Sequence, residues 1–299
     1  MMIYKNVFKY LVVCIFIFVG VSCTTNEEYN LTILHTNDTH SQVEPLEFGK
    51  RDAFCGGYAR RIGFIKQMRS NDPNILLFDA GDFSQGTPYY NFYHGRIEVH
   101  AMNTMGYDAI TLGNHEFDYG VDTLAAALQL AQFAIVCSNY DVTGTPLEGL
   151  VKPYTVIKRS GLRVGVFGLG VNPDGLIAEK NFAPIKYLDP VSTAQNMANI
   201  LREDEKCDVV ICLSHQGTHP GAHGQASDMD LAEKTKNIDV IIGAHTHKIV
   251  ENLYVTNLVG DSVLLVQTGK AGARIGEISL KISREEHKFV KKFAYSKKK

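Results

Sequence analysis

Seven residues of metal-binding type recur in short, separated motifs along this chain: Asp38, His40, Asp82, Asn114, His215, His245 and His247. They stand in Asp38-Thr39-His40, Gly81-Asp82, Gly113-Asn114-His115-Glu116, Ser214-His215 and Gly243-Ala244-His245-Thr246-His247, each directly after a short apolar run. Hard divalent ions favour oxygen, whereas imidazole suits zinc, iron and manganese. A mixture of carboxylate, amide and imidazole therefore fits Mn, Fe(II), Zn or Co better than Ca or Mg alone. A single histidine at a strand end is more often packed or surface-exposed than a ligand, so the weight rests on the ordered set. His35, His94, His100, His219, His223 and His287 belong to no such motif and read as structural or exposed. His219 and His223 follow His215 in a Gly- and His-rich stretch, from which they could also face a cleft.

These motifs need a scaffold that brings five distant segments together. Leu31–His35, Ile75–Phe78, Ala109–Leu112, Val209–Leu213 and Val240–Ile242 are apolar strand-like runs, and each leads into one of the motifs. Between them lie helical patterns. Gly57–Arg69 carries Ile62, Ile65 and Met68 at helical spacing, and His100–Met105, Val121–Ala131, Val191–Glu205 and Met229–Lys236 follow. Asp122 sits where it complements a helix dipole. Phe133–Ser138 adds a strand, and Tyr154–Lys158 with Arg163–Gly168 form a hairpin around Arg159-Ser160-Gly161. From Leu253 the pattern turns to strands alone: Leu253–Leu258, Val263–Gln267 and Ile275–Ile282. Unbroken Val/Ile/Leu strands separated by helices predict sheets covered on both faces. In such open sheets ligands collect beyond the carboxyl ends of the strands, where all five motifs fall.

At 299 residues the chain can bury a sizeable core, and 45% hydrophobic with 21% charged residues places it among globular proteins. With no repeat or linker to split it, the mature chain reads as one α/β domain. A formal net charge of −2 lacks the clustered basic footprint that binding to a nucleic-acid polymer demands. The one basic concentration, Lys291, Lys292 and Lys297 to Lys299, reads as a solvated, frayed terminus, with contact to an anionic membrane surface as the alternative.

The N-terminus reads as an export signal. Lys5 and Lys9 precede the uncharged stretch Tyr10–Val21, which is short for a membrane span of about 20 residues and suited to a signal core. Ser22-Cys23 resembles the end of a bacterial lipoprotein signal, after which Cys23 would be lipidated. Gly20 departs from that pattern, because a larger aliphatic is usual there. Cleavage elsewhere and an uncleaved anchor are the alternatives, and all three carry the protein out of the cytoplasm; as a lipoprotein it would sit on the periplasmic side of a membrane or at the cell surface. The expected organisation is signal 1–22, tether 23–30, catalytic domain 31–283 and basic tail 284–299. Cys55, Cys137, Cys207 and Cys212 remain in the mature chain without zinc-site spacing. Export permits a disulfide, yet Cys137 and Cys212 lie in apolar runs where a buried free thiol is commoner.

Taken in order, the motifs resemble those of the calcineurin-like metallophosphoesterases. Leu34-His35-Thr36-Asn37-Asp38-Thr39-His40 and Gly113-Asn114-His115-Glu116-Phe117-Asp118 are similar specifically to the 5′-nucleotidase branch, and the resemblance covers Leu31 to about Ser283. It implies an α/β fold of four layers, a sandwich of two mixed sheets flanked by helices. It also implies two divalent metal ions, one held by Asp38, His40, Asp82 and His247. The other would be held by Asp82, Asn114, His215 and His245, with Asp82 bridging. Such a pair, roughly 3.5–4 Å apart, clamps the attacking and leaving oxygens of an in-line displacement and supplies hydroxide near neutral pH. By the same resemblance His115 is the catalytic histidine and Asp118 its carboxylate partner, which fixes the ring tautomer. Glu116 and Phe117 read as framework, and Gly81, Gly113 and Gly243 as tight-turn positions near the ions.

Two departures bear on substrate. The last ligand position is often an amide in the nucleotidase branch, whereas here it is His247. The branch also carries a second, C-terminal domain that binds the base and phosphate, and nothing after Ser283 would fold into one. The expected function is thus an exported phosphohydrolase acting on nucleotides or related phosphomonoesters by metal-hydroxide attack, with a separate chain as a possible source of the missing domain. A phosphodiesterase of cyclic nucleotides or nucleotide sugars is the alternative enzyme. A lipid-anchored, non-catalytic binding protein is the contrasting class, and retention of every ligand and of His115 argues against it.

Overall fold

The computed structural model describes residues 28–47, 52–220, 225–285 and 288–298. The expected signal peptide, Cys23, His223 and His287 lie outside the described residues. Among the described residues fifteen strands occur in chain order. The first six are β1 (Glu28–Thr36), β2 (Leu76–Asp79), β3 (Ala109–Ile110), β4 (Ala134–Val136), β5 (Tyr140–Asp141) and β6 (Val151–Lys152). Then come β7 (Tyr154–Arg159), β8 (Leu162–Leu169), β9 (Lys186–Tyr187), β10 (Val209–Ser214) and β11 (Val240–Gly243). The last are β12 (Ile249–Thr256), β13 (Ser262–Thr268), β14 (Ile275–Glu285) and β15 (Lys288–Lys298). The helices are α1 (Tyr58–Asn71), α2 (Pro88–Tyr93), α3 (Arg96–Met105), α4 (Gly120–Leu128), α5 (Glu179–Phe182), α6 (Pro190–Asn199) and α7 (Asp228–Lys234).

The first sheet runs β15-β14-β1-β2-β3-β4-β6 and the second β12-β13-β11-β10-β8-β7, with β5 and β9 as a small separate pair. In the first, β1 to β4 are mutually parallel while β14 and β15 are antiparallel additions. In the second, β8, β10, β11 and β13 are parallel, and the edge strands β7 and β12 run antiparallel. Every residue of β10 and β11 is buried, which is why both read as unbroken aliphatic runs.

Alternation along each strand builds three apolar layers. Ile33, Leu76 and Phe78 point between the sheets to meet Val166, Val209, Ile211, Val240 and Leu264. Leu34 and Leu77 point outward, where Ile65 of α1, Val99 and Met102 of α3 and Leu124 of α4 cover the first sheet. Cys212, Ile241 and Leu265 face Ala194 and Met197 of α6 and Leu231 of α7 on the second. The result is the four-layer α-β-β-α sandwich that the family resemblance implied. Each fully buried aliphatic here contributes on the order of 1.5–3 kcal/mol by leaving water.

Local differences from the sequence reading have physical causes. Val191–Glu205 is not one regular helix: α6 ends at Asn199 and continues as a π-helical turn, Ile200–Asp204. The short helix α2, entered through Pro88 at its first position, gave no periodic signal over six residues. Residues 284–285 and 288–298, expected as part of a frayed basic tail, instead pair along the sheet as the end of β14 and the whole of β15. The lysine count obscured the β-forming Phe289, Val290, Phe293 and Tyr295, and lysine is itself common on edge strands. The cysteines Cys55, Cys137, Cys207 and Cys212 are free thiols. Among the described residues no helix is long and apolar enough to cross a membrane.

Candidate metal centre

The carboxyl ends of β1, β2 and β3 in one sheet and of β10 and β11 in the other supply the five motifs. Their loops are held in an uncommon backbone state. Asp38, His40, Asp82, His245 and His247 all have positive φ, at 48°, 46°, 56°, 68° and 54°. A non-glycine residue there costs about 1–2 kcal/mol, and such residues cluster where the surroundings over-determine the loop. Cross-loop hydrogen bonds do that here. The amides of Asp38 and His40 donate to the carbonyls of Gly81 and Asp82 at 2.9 and 3.0 Å. The Ala271 amide donates to the Asp38 carbonyl at 2.7 Å, and the His245 amide to both Asp38 carboxylate oxygens at 3.0 Å.

Close approach explains three of the motif glycines. A Cβ on Gly113 would lie 2.2 Å from Asp82 Oδ1, and one on Gly81, itself at φ 93°, 2.6 Å from the Gly113 amide and 2.8 Å from His215 Nδ1. Turn formation was the expected reason for Gly113 and Gly243, yet neither has positive φ. Space is their role: a Cβ on Gly243 would meet Asp228 Oδ2.

The ligand-type side chains converge. His215, fully buried, places Nε2 3.0 Å from Asp82 Oδ2 and 3.9 Å from Asp38 Oδ1. Its other nitrogen, Nδ1, is 2.8 Å from the Ala80 carbonyl, which fixes that atom as the donor and aims a lone pair at Nε2 into the cluster. The His215 and His245 rings are 5.3 Å apart. On the open side, His247 Nε2 lies 3.4 Å from Asp38 Oδ1 and 2.9 Å from His40 Nε2. Among the described residues three compact groups able to hold an ion result: Asp38–His40–His247, His40–Asp82–His115 and Asp82–His215–His245.

One atom tests whether a metal fits. Asn114 Oδ1 is buried without a hydrogen-bond partner, a costly state for a polar atom that a coordinated cation relieves. Electrostatics agree. Burial opposes a charge on Asp82, but His215, His115 and His40 outweigh it and hold the Asp82 carboxyl well below its usual range. Burial likewise opposes a charged His215, yet Asp82 and Asp38 raise it to about 10. In the metal-free protein these carboxylates recruit a proton that a cation would displace. Burial, then the neighbouring His215, push His245 down to about 4, and burial lowers His40.

His115 stands beside this cluster. Its ring is 5.4 Å from that of His40, and its amide donates to Asp82 Oδ1 at 2.9 Å. Asp118 Oδ2 lies 3.1 Å from His115 Nδ1, and both side chains are about one-third exposed. Burial works against the imidazolium, but Asp118, Asp82 and Glu116 outweigh it, and the His115 pKa rises above its ordinary value.

Six of the seven predicted ligand-type residues therefore meet at one edge of the sandwich with His115 and Asp118 beside them, and Asn114 adjoins them in the chain between Gly113 and His115. The chain matches the model of the calcineurin-like phosphoesterases over residues 31–249. It belongs to that family. This domain is 33% identical over 284 residues to the trifunctional nucleotide phosphoesterase protein YfkN of Bacillus subtilis, covering 84% of this chain and 18% of that one. It is 37% identical over 229 residues to a snake venom 5′-nucleotidase of Gloydius brevicauda, covering 73% and 37%. In structure it is similar to a 5′-nucleotidase precursor from Thermus thermophilus, at TM-score 0.77 and 31% identity over 90% of this chain and 54% of that one. The chain thus spans about half or less of the length of these relatives. Calcineurin-like phosphoesterases use divalent metals, in keeping with the Asp/His groups.

Among the described residues, the histidines outside the motifs stay outside the cluster. His35 is buried in β1 opposite Gly276, His94 packs its ring 4.3 Å from that of Tyr119, and His219 is exposed. Sequence reasoning passed over two residues that hold the loops from beneath. Asn37 donates to Asp38 Oδ2 at 2.6 Å and to the Gly269 carbonyl, and accepts from the Thr268 amide. Gln267 donates to the Ala244 carbonyl and accepts from the Lys248 amide, bracketing the His245–His247 turn. Asn37 stood inside a quoted motif, whereas Gln267 left no signal in the sequence.

Proposed function

We propose that this domain is a metal-dependent phosphohydrolase that releases phosphate from nucleotides or related phosphomonoesters. The observation that supports the reading is the grouping of Asp38, His40, Asp82, His215, His245 and His247 beside the His115–Asp118 pair. In this reading Asp38, His40, Asp82 and His247 hold one divalent ion, and Asp82, Asn114, His215 and His245 hold a second, of the Mn, Zn, Fe or Co type. Bound there, the ions would supply Lewis-acid polarisation of the phosphoryl oxygens and an acidified water. The carboxylates of Asp38 and Asp82 neutralise their charge, and Ala80 keeps His215 in the coordinating tautomer. His115, its Nδ1 facing Asp118, presents Nε2 to the open side, where it protonates the departing alkoxide or stabilises phosphoryl charge. Purified Thr24–Lys299 with Mn(II) should release phosphate from AMP and from an aryl phosphate. No turnover with any metal sinks the proposal.

The name of the Bacillus relative, a trifunctional nucleotide phosphoesterase, keeps a second reading in play: hydrolysis of cyclic nucleotides or nucleotide sugars. Turnover of diesters without monoesters in the same panel decides for it. We further propose export, with Cys23 lipidated, on the strength of Lys5, Lys9 and the apolar Tyr10–Val21. Membrane fractions from cells making Cys23→Ser should then lose the protein. Substrate choice, in this reading, is completed by a separate chain docked over the cleft, supported by the one-third exposure of His115 and Asp118. An unchanged KM for AMP in the presence of candidate chains counts against it.

A further inference from the structure

Glu116 lies under two of the loops that carry the cluster, only 2% exposed. Its carboxylate accepts three backbone N–H groups from both. Oε2 takes Gly113 at 2.6 Å and Asp82 at 3.0 Å, and Oε1 takes Ser84 at 3.0 Å. The Gly113 amide opens the loop after β3, which bears Asn114 and His115. The Asp82 and Ser84 amides belong to the loop after β2. One oxygen thus sits between the two loops and fixes their spacing.

The remaining bonds of Asp82 show how much depends on that spacing. Its carbonyl accepts from the His40 amide at 3.0 Å, and its Oδ1 from the His115 amide at 2.9 Å. Asp82 is thereby held at its left-handed φ from three sides, and Glu116 supplies the hold from below. A buried carboxylate is expensive unless its lone pairs are satisfied, and three N–H donors on two oxygens satisfy it.

We propose that Glu116 is a positioning residue that sets metal affinity and the placement of His115 by clamping the Asp82 and Asn114 loops at a fixed distance. The inference rests on the reading of Asp82 and Asn114 as ligands. Neither near-isostere replaces the carboxylate. The amide of Gln has one acceptor oxygen, so its NH2 faces at least one of the three N–H groups in either orientation. Asp keeps both acceptor oxygens but is one methylene too short to reach both loops.

The test is Mn(II) binding to the metal-stripped protein by titration calorimetry, for wild type, Glu116→Gln, Glu116→Asp and Leu201→Ala. The last truncates a fully buried core residue on the far side of the second sheet and controls for lost stability. Both Glu116 variants should bind Mn(II) about 10–100-fold more weakly, the usual cost of losing a group that orients ligands, while Leu201→Ala stays within about twofold. Wild-type affinity in Glu116→Gln overturns the proposal, as does an equal loss in Leu201→Ala. Should the Glu116 variants not fold, amide hydrogen exchange on the wild type decides. The amides of Asp82, Ser84 and Gly113 should all exchange slowly, and fast exchange at the three overturns it. Because the readout is binding, a wild type that takes up Mn(II) and hydrolyses nothing sinks the phosphohydrolase reading and leaves the Glu116 clamp standing.

Discussion

The cluster has an inner and an outer half, and they are built differently. In the inner half His215 is fully buried, its ring anchored on the Ala80 carbonyl, and the buried Asn114 Oδ1 has no hydrogen-bond partner. In the outer half His40 and His247 meet each other at 2.9 Å, and the His247 side chain is 35% exposed. A pre-oriented, desolvated ligand set loses little entropy on binding and faces little competition from water, whereas an exposed one faces both. The contrast teaches that two similar donor lists need not bind alike. The inner position should fill first and hold its ion, and the outer should exchange.

The largest effect expected from breaking this contrast is His215→Ala. It removes the inner anchor and leaves Asp82 buried without its ring, so hydrolysis should fall by on the order of 10⁴-fold or more. Elemental analysis should find the inner ion gone. Activity within tenfold of wild type would mean that the inner half is not where the chemistry is organised.

Next in size is His115→Asn, which spares both halves. A general acid contributes typically 10²–10⁴-fold, so kcat should drop by that much while metal content stays at the wild-type value. Metal lost together with rate would recast His115 as a ligand, which the His40–Asp82–His115 grouping makes a real alternative to test.

A smaller effect belongs to His247→Asn. The outer ion should weaken about 10–100-fold while the inner one remains, so Mn(II) titration should resolve one tight and one weakened site. Loss of the tight site first would invert the proposed order. For both halves the rings must be neutral to coordinate, so affinity should fall as pH drops. His215, raised to about 10 by its carboxylates in the metal-free protein, makes proton release on metal binding a direct readout near neutral pH.

Much of this arrangement was legible in the sequence because strand ends are cheap to recognise. An aliphatic run followed by Gly-Asp or Gly-Asn-His states both an element and what it delivers. The two-sided burial of β10 and β11 was readable from Val209–Leu213 and Val240–Ile242 for the same reason. What could not be read is long-range and backbone-mediated. The left-handed φ of Asp38 and His247, the three N–H groups under Glu116 and the Gln267 bracket depend on which loops become neighbours, and local pattern carries no record of that. Strand β15 was missed for a different reason: a lysine-rich edge strand at the end of the sequence resembles a solvated terminus until its partner strand is known.

The smallest expected effect sharpens the inner half by comparison with a histidine equally buried but remote from the carboxylates. His35 is 0% exposed, as His215 is, and it fills the space opposite Gly276, where a Cβ would lie 2.0 Å from its Nε2. Burial there lowers its pKa to about 3, while the same burial beside Asp82 and Asp38 ends near 10. Location relative to the strand end, and not burial, separates a ligand-like ring from a core ring. The sign for stability follows. Above about pH 6.5 His35 is neutral folded or unfolded and contributes no slope. As pH falls from there toward 3 the unfolded chain takes up a proton that the folded one refuses, so stability declines by at most ~1.4 kcal/mol per pH unit. Urea unfolding of the metal-free protein should show this acid limb, and His35→Gln, which cannot be protonated, should flatten it by that amount. Parallel limbs in the two proteins would show that the His35 ring takes up its proton in the folded state and that burial alone does not keep it neutral.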